Sequence, residues 1–314
     1  MRRKTLVLAA GLIAVAGISA TAGPIDISFE EASQRYVVQA GERLLTAYCV
    51  GGEFRDKPIF YPVLTLAGSA VNRFFPMEKG RPGETTDHPH HQSMWFTYGE
   101  VNGVDYWNLQ PTGRRIRHRE ARAEGSTLHL SRDWIDPAGA RVLAETDRVD
   151  FGLGEKVWWM DHDITLTADE ADVHFGDSKE GAFGLRVADA LREAGGSGRY
   201  LNAEGLETSA NVWGKPSAWV ALRGTVEGAA GPEPVTVAIF SHPESFNHPP
   251  FWHARDYGLF TVNPFGRRGY NAALSPRETH LKRGESLRLR FRLAVYGGVV
   301  EKARLDDDFA AFSR

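Results

Sequence analysis

Three stretches of the chain concentrate side chains able to do chemistry. The first is Asp87-His88-Pro89-His90-His91-Gln92-Ser93. In an extended segment His88 and His90 point to one side, where two imidazoles could bind one divalent metal, and His91 faces away. Pro89 cannot donate to a central ladder, so the segment belongs at a sheet edge or in a loop, where scaffolds tend to carry function. The same residues could equally form a metal-free, hydrogen-bonded polar site. The second stretch is Asp177-Ser178-Lys179-Glu180, running on to Gly181-Ala182-Phe183-Gly184-Leu185-Arg186-Val187-Ala188, which reads as a strand. Its alternation sets Arg186 between two small residues, with clearance for a ligand that a guanidinium could bind bidentately. The competing expectation is an internal ion pair from Arg186 to Asp177 or Glu180.

The third stretch, between positions 242 and 258, holds His242, His248 and His253 with Glu244, Arg255, Asp256, Trp252 and Tyr257. Histidine titrates near neutrality and can act as base, acid or ligand. Aromatic faces beside polar groups suit a sugar, whose C–H faces stack while its hydroxyls hydrogen-bond. The expected catalytic set is therefore His90, His253, Arg186 and Asp256. Lys179, Glu180, Trp252, Arg255, Trp107 and His242 are the expected substrate contacts. A divalent metal, if used, is expected on His88, His90 and His248. Such a set suits proton abstraction beside a carbonyl, with histidine as base and Arg186 or a metal stabilising the enolate. That reading is a lyase, epimerase or hydratase acting on a keto-sugar or sugar derivative. The alternatives are a glycoside hydrolase drawing two carboxylates from Asp177, Glu180, Glu244 and Asp256, and a non-catalytic carbohydrate-binding protein.

The elements that must position these residues read as strands. Short β-rich runs recur at 35–50, 93–99, 127–134, 148–151, 156–166, 181–188, 218–226, 235–242, 257–265 and 286–296. The run 286–296 alternates Leu287, Leu289, Phe291, Leu293 and Val295 with Arg288, Arg290 and Arg292, the period of a half-buried strand. Asn102-Gly103 is a hairpin signal between the runs 93–99 and 104–107. Helical periodicity is confined to the end of the chain, around 299–312. Many strands and few helices predict an all-β fold, a large antiparallel β-sandwich, with a galactose-mutarotase-like supersandwich as one form of it.

Composition narrows the classes. The chain has 314 residues, 42% hydrophobic and 25% charged, with a formal net charge of −3. That is globular composition, and the near-neutral balance argues against a broad nucleic-acid surface. One cysteine, Cys49, excludes a disulfide framework or cysteine-rich metal site, and four methionines are few for copper handling. Arg2, Arg3 and Lys4 precede the apolar run 6–18 and a small-x-small site at Ala20-Thr21-Ala22. This predicts a signal peptide at 1–22 and an exported, periplasmic or secreted domain over 23–314. No later run is long enough to insert in a membrane.

Several motifs carry a resemblance. Arg81-Pro82-Gly83-Glu84 with Asp87-His88-Pro89-His90-His91, Val101-Asn102-Gly103-Val104-Asp105-Tyr106-Trp107, Phe175-Gly176-Asp177-Ser178-Lys179-Glu180-Gly181, Trp213-Gly214-Lys215 and Trp252-His253-Ala254-Arg255-Asp256-Tyr257-Gly258 lie across most of the chain. Together they resemble the PmoA-like family of secreted bacterial proteins, a domain of unknown function; the stretch Glu244-Ser245-Phe246-Asn247 departs from its pattern. The resemblance implies a role in carbohydrate catabolism. It does not imply a methane monooxygenase subunit, which would need long apolar spans.

Overall fold

The computed structural model describes residues 24–50, 57–108 and 115–314. The expected leader at 1–22 lies outside the described residues. Among them the chain forms β1 Ile25–Glu30, β2 Arg35–Ala40, β3 Arg43–Cys49, β4 Ile59–Val63, β5 Met94–Tyr98, β6 Ile116–Glu124, β7 Thr127–Ile135, β8 Arg141–Leu153 and β9 Val157–Thr167. These are followed by β10 Val173–Phe175, β11 Gly181–Arg186, β12 Arg199–Asn202, β13 Trp219–Gly228, β14 Gly231–Ser241, β15 Phe251–Ala254, β16 Leu259–Asn263, β17 Thr279–Leu281 and β18 Ser286–Gly297. Among the described residues there are two α-helices, the single turn α1 Ser209–Val212 and the terminal α2 Lys302–Phe312.

Two eight-stranded antiparallel sheets face each other. The first runs β1-β2-β3-β4-β5-β11-β16-β15 and the second β12-β13-β14-β18-β9-β8-β7-β6, with β10-β17 as a small third ladder. This is the all-β sandwich that the alternation predicts. In β18, Leu287, Leu289, Phe291 and Leu293 enter the core between the sheets. Its arginines turn outward and meet aspartates of β9, Arg288 with Asp163 and Arg292 with Asp161. The outer face of the second sheet is covered by α2, whose Leu305 and Phe312 pack on Trp219, Phe240 and Tyr296.

The hairpin expected at Asn102-Gly103 is a turn without a ladder. Both residues have positive φ, 50° and 73°, and Val101 and Val104 exchange backbone hydrogen bonds of 3.0 and 2.9 Å. The chain beyond does not pair along β5, because β4 and β11 already occupy its two edges. Instead Asp105 Oδ1 accepts from the backbone N–H groups of Trp107 and Asn108 at 2.8 and 3.1 Å, curling this segment over the sheet.

Pleating decides what the first sheet shows outside. Phe183 and Leu185 of β11, Trp252 and Ala254 of β15, and Met94 and Phe96 of β5 face the inter-sheet core. Their neighbours Arg186, His253 and Trp95 therefore point to the opposite face.

Candidate active site

On that outer face lies a cavity of about 290 Å³. The turn before β5 supplies His88, His90 and His91, and the segment after the Asn102-Gly103 turn supplies Trp107 and Asn108. Lys179 and Glu180 come from the lead into β11, His253 from β15, and Arg255 and Tyr257 from the tight β15–β16 turn. A larger groove of about 790 Å³ lies against β6–β9. Its arginines are engaged in ion pairs, Arg288 with Asp163 inside the groove and Arg122 and Arg148 with Glu124 and Asp150 beside it.

The histidine segment is a turn rather than an extended chain. His88 has φ 46°, and the His91 N–H donates to the His88 carbonyl at 2.9 Å. The expectation that His91 faces away is therefore corrected: its ring is 1% exposed and lines the cavity. Trp95, His91, His88 and Tyr257 stack in sequence, with successive centroids 5.6, 4.9 and 4.9 Å apart.

Asp87 organises this wall. Its Oδ1 accepts from Arg73 Nη1 at 2.6 Å and Arg186 Nη2 at 2.7 Å, and its Oδ2 accepts from His88 Nδ1 at 2.5 Å. Burial works against the charge, but the His88 hydrogen bond and the Arg186 and Arg73 guanidiniums hold the Asp87 carboxyl down to about 2. Arg186 Nη1 also lies 3.3 Å from His91 Nδ1. A guanidinium only donates, so His91 Nδ1 accepts and the ring carries its proton on Nε2.

Burial keeps His90 and His253 neutral. Desolvation, then the Lys57 ammonium and His88, lowers His90 to about 4; Lys57 Nζ donates to the His90 carbonyl at 2.9 Å. Desolvation, then Lys179 and Arg255, lowers His253 to about 3. The His253 side chain is 3% exposed and its Nδ1, which has no hydrogen-bond partner, stands 3.8 Å from Glu180 Oε2. Trp107 lies nearly parallel to the His253 ring, centroids 6.4 Å apart. The other Glu180 oxygen contacts Lys179 Nζ. Arg255 has no side-chain hydrogen bond or ion pair among the described residues; its guanidinium only faces rings, 5.5 Å from Tyr257 and 6.0 Å from Trp213.

Of the residues singled out from sequence, His88, His90, Trp107, Lys179, Glu180, His253 and Arg255 line this one cavity. Five others do not, and each expectation is corrected for a physical reason. Trp252 sits on the core side of β15, fully buried, with Nε1 donating to the Ser217 carbonyl at 2.9 Å, so it offers no sugar platform. Asp256, at the tip of the turn, is exposed and borders a separate depression with Trp213. Arg186 is 0% exposed and bound to Asp87, neither free for a ligand nor paired with Asp177 or Glu180. The clearance expected beside it is filled: a Cβ on Gly184 would stand 2.5 Å from Thr261 Cγ2. His242 and His248 are carried off by the loop after β14, His242 to Arg290 at 3.1 Å and His248 to Ser241 at 3.2 Å. The metal set His88, His90 and His248 is thus not assembled, and the described cavity residues bring no three metal-ligating atoms within 4.8 Å of one another.

Asp87, His91, Asn108 and Tyr257 belong to the site without having been expected there. Tyr257 and Asp87 lie inside the dense stretches, and adjacency to His88 was the available signal for Asp87. Nothing local marks Asn108. Asp177 is structural: it accepts from the backbone N–H groups of Arg267, Arg268 and Gly269 at 2.8, 2.9 and 3.1 Å.

Residues 35–310 match the family of unknown function DUF6807. The chain belongs to that family. The description attached to the match is one of unknown function and not a PmoA-like name. No curated protein matches the sequence. Solved structures similar to this member include a beta-arabinopyranosidase, at 12% identity and TM-score 0.39, covering 81% of this chain and 38% of that one. A galactose mutarotase-like protein from Clostridium acetobutylicum is 10% identical with TM-score 0.40, covering 87% of this chain and 99% of that one. A glycoside hydrolase family 97 enzyme from Pseudoalteromonas sp. strain K8, solved with acarbose, is 12% identical with TM-score 0.32, covering 88% of this chain and 35% of that one. The chain thus spans well under half the length of the arabinopyranosidase and of the family 97 enzyme. Among the described residues no helix is long and apolar enough to cross a membrane.

Proposed function

We propose that this protein is an exported enzyme that moves a proton beside the carbonyl of a keto-sugar or sugar-acid derivative, as an epimerase, lyase or hydratase does. The observation carrying this reading is a pair side by side on the cavity wall: a buried His253 whose Nδ1 has no partner, 3.8 Å from Glu180 Oε2. A carboxylate base facing a neutral imidazole is a working combination for enolisation. Glu180 takes the proton from the carbon next to the carbonyl, and the electron pair passes into the enolate. His253, neutral because burial holds it near 3, hydrogen-bonds the developing oxyanion, and Arg255 and Lys179 add positive charge. Once the enolate has turned over against Glu180, return of the same proton to its other face gives an epimer; expulsion of a group from the next carbon, which takes the proton held on Glu180, gives elimination.

The cavity volume suits one sugar unit, with the half-buried Tyr257 ring for a C–H face and Asn108 for hydroxyls. This assignment replaces Asp256 and Arg186 by Glu180 as the acid–base partner of histidine, with Asp87, Arg73 and Arg186 as positioning residues. A two-carboxylate glycosidase is disfavoured, since Glu180 is the one acidic side chain among the described residues lining the cavity.

The test is incubation with keto-sugars and sugar acids in deuterated water, read by NMR. Deuterium should enter next to the carbonyl with the parent protein, be lost with Glu180→Gln and His253→Gln, and persist with Asp256→Asn. Glycoside cleavage without such exchange, or exchange that survives Glu180→Gln, would overturn the reading.

A further inference from the structure

Outside the cavity, the small β10–β17 ladder places His174 directly opposite His280, between the pairs Val173–Leu281 and Phe175–Thr279. Directly opposed residues share one face of an antiparallel pair, and the two imidazoles stack with centroids 4.5 Å apart and planes 19° from parallel. Glu278, just before β17, brings Oε2 to 3.7 Å from His174 Nε2 and 3.9 Å from His280 Nε2. One ligand atom from each of the three lies within 4.8 Å of the others. A second observation points to a ligand: His174 Nε2 is shielded from solvent and has no hydrogen-bond partner.

We propose that His174, Glu278 and His280 form a binding site for a divalent transition-metal ion of the zinc class, with water completing the coordination. Two imidazole nitrogens and one carboxylate oxygen suit zinc, cobalt or nickel, whereas magnesium and calcium prefer oxygen-only sets. Zinc bonds of about 2.0–2.1 Å put tetrahedral neighbours about 3.3 Å apart, so the two carboxylate–imidazole separations of 3.7 and 3.9 Å must shorten, and the exposed His280 ring must turn out of its stack so that both imidazole lone pairs meet the ion. Glu278 and His280 are exposed enough to make that adjustment. The backbone beneath is already fixed, because Asn102 Oδ1 accepts from the His174 N–H at 2.7 Å and the Asn102 N–H donates to the His174 carbonyl at 2.8 Å.

The position gives such an ion a structural role. Residues 264–278 join β16 to β17 and carry Tyr270, whose hydroxyl donates to the Lys179 carbonyl at 2.9 Å and whose ring meets His253 edge-on at 6.0 Å. Asp177 pins both ends of this segment, through the N–H groups of Arg267, Arg268 and Gly269 and that of Arg277 at 2.5 Å, and the metal would add a tie from Glu278 and His280 to β10. The site stands independently of the proposed reaction.

The experiment is isothermal titration calorimetry of the chelator-treated, tag-free chain with ZnCl2, with MgCl2 and CaCl2 as controls. One equivalent of zinc should bind and raise the thermal midpoint, and the magnesium and calcium controls should show no such binding. Glu278→Gln and His280→Ala should each weaken binding about tenfold or more, since loss of even outer-shell partners costs that much. Both replacements are at exposed positions, and circular dichroism would verify that the fold is kept. Cobalt should give a tetrahedral absorption band with the parent and lose it with His280→Ala. Absence of zinc binding would overturn the proposal. So would binding that survives both variants and disappears with His90→Ala, which would place the ion in the cavity instead.

Discussion

Replacing Asp87 by Asn should cost stability in a manner that depends on pH. The Asp87 carboxylate is 40% exposed, whereas the side chains of Arg73 and Arg186 that it joins are both 0% exposed. Asp87→Asn keeps the shape but leaves two buried guanidiniums without their shared counter-charge. Breaking a fully buried pair costs about 3–5 kcal/mol; partial exposure of the carboxylate reduces this to about 2–3 kcal/mol, or roughly 4–10 °C in Tm. The charge itself supplies part of the loss. A fall from the ordinary 3.8 to about 2 would correspond to about 2.5 kcal/mol undiluted, and solvent screening at a group this exposed cuts it to about 1 kcal/mol. Because the folded value is depressed, this contribution is present above about pH 4 and is lost as the pH falls through 2. Urea unfolding followed by tryptophan fluorescence at pH 7 and pH 2.5 measures both parts. The parent should exceed Asp87→Asn at pH 7, and the gap should narrow at pH 2.5. A variant within about 0.5 kcal/mol of the parent at pH 7, the range of neutral surface changes, would refute the reasoning, as would a gap that ignores pH.

His253 should make the fold acid-sensitive over a different range. Its folded value near 3 lies below the ordinary 6.5, so its contribution is whole above pH 6.5 and declines as the pH drops toward 3, by at most about 1.4 kcal/mol per pH unit. His253→Gln should flatten the urea midpoint against pH between 6.5 and 4.5; an unchanged slope would mean that the ring is not held neutral. Trp252→Ala should destabilise by about 3–5 kcal/mol, whereas Trp252→Phe should leave ligand affinity unaltered in a calorimetric titration, and a large affinity loss there would return Trp252 to the site. Turnover should show no acidic limb from His90 or His253 between pH 5 and 8, since both are neutral throughout.

Period-two alternation is a local property, and it was enough to place most of the long strands and the sandwich. The run 286–296 became β18 with its leucines inward and its arginines outward because a pleated strand has only two faces. The Asn102-Gly103 turn was legible for the same local reason, as both residues tolerate positive φ. The terminal helix also followed from its own periodicity. Density of histidine, arginine, acid and aromatic residues singled out three stretches that each send side chains to one cavity, and Trp107 joins them there from the segment after the Asn102-Gly103 turn.

Which members of each stretch reach the cavity was decided only in three dimensions. His253 and Trp252 are neighbours in sequence, yet β15 lies at the edge of the first sheet with Trp252 turned to the core, and nothing within the stretch specifies which face meets the other sheet. His91 joined His88 and His90 because a positive φ at His88 closed a turn, where an extended chain would have separated them. Asp87 became a hub because β11, remote in sequence, brings Arg186 to it, just as the chain after β4 brings Arg73. His248 and His242 left the site because their loop follows β14 of the second sheet. Composition and spacing therefore determined what chemistry the chain can hold and which segments hold it. Strand order and facing selected the residues that share one cavity, because those depend on hydrogen-bonded partners far apart along the chain.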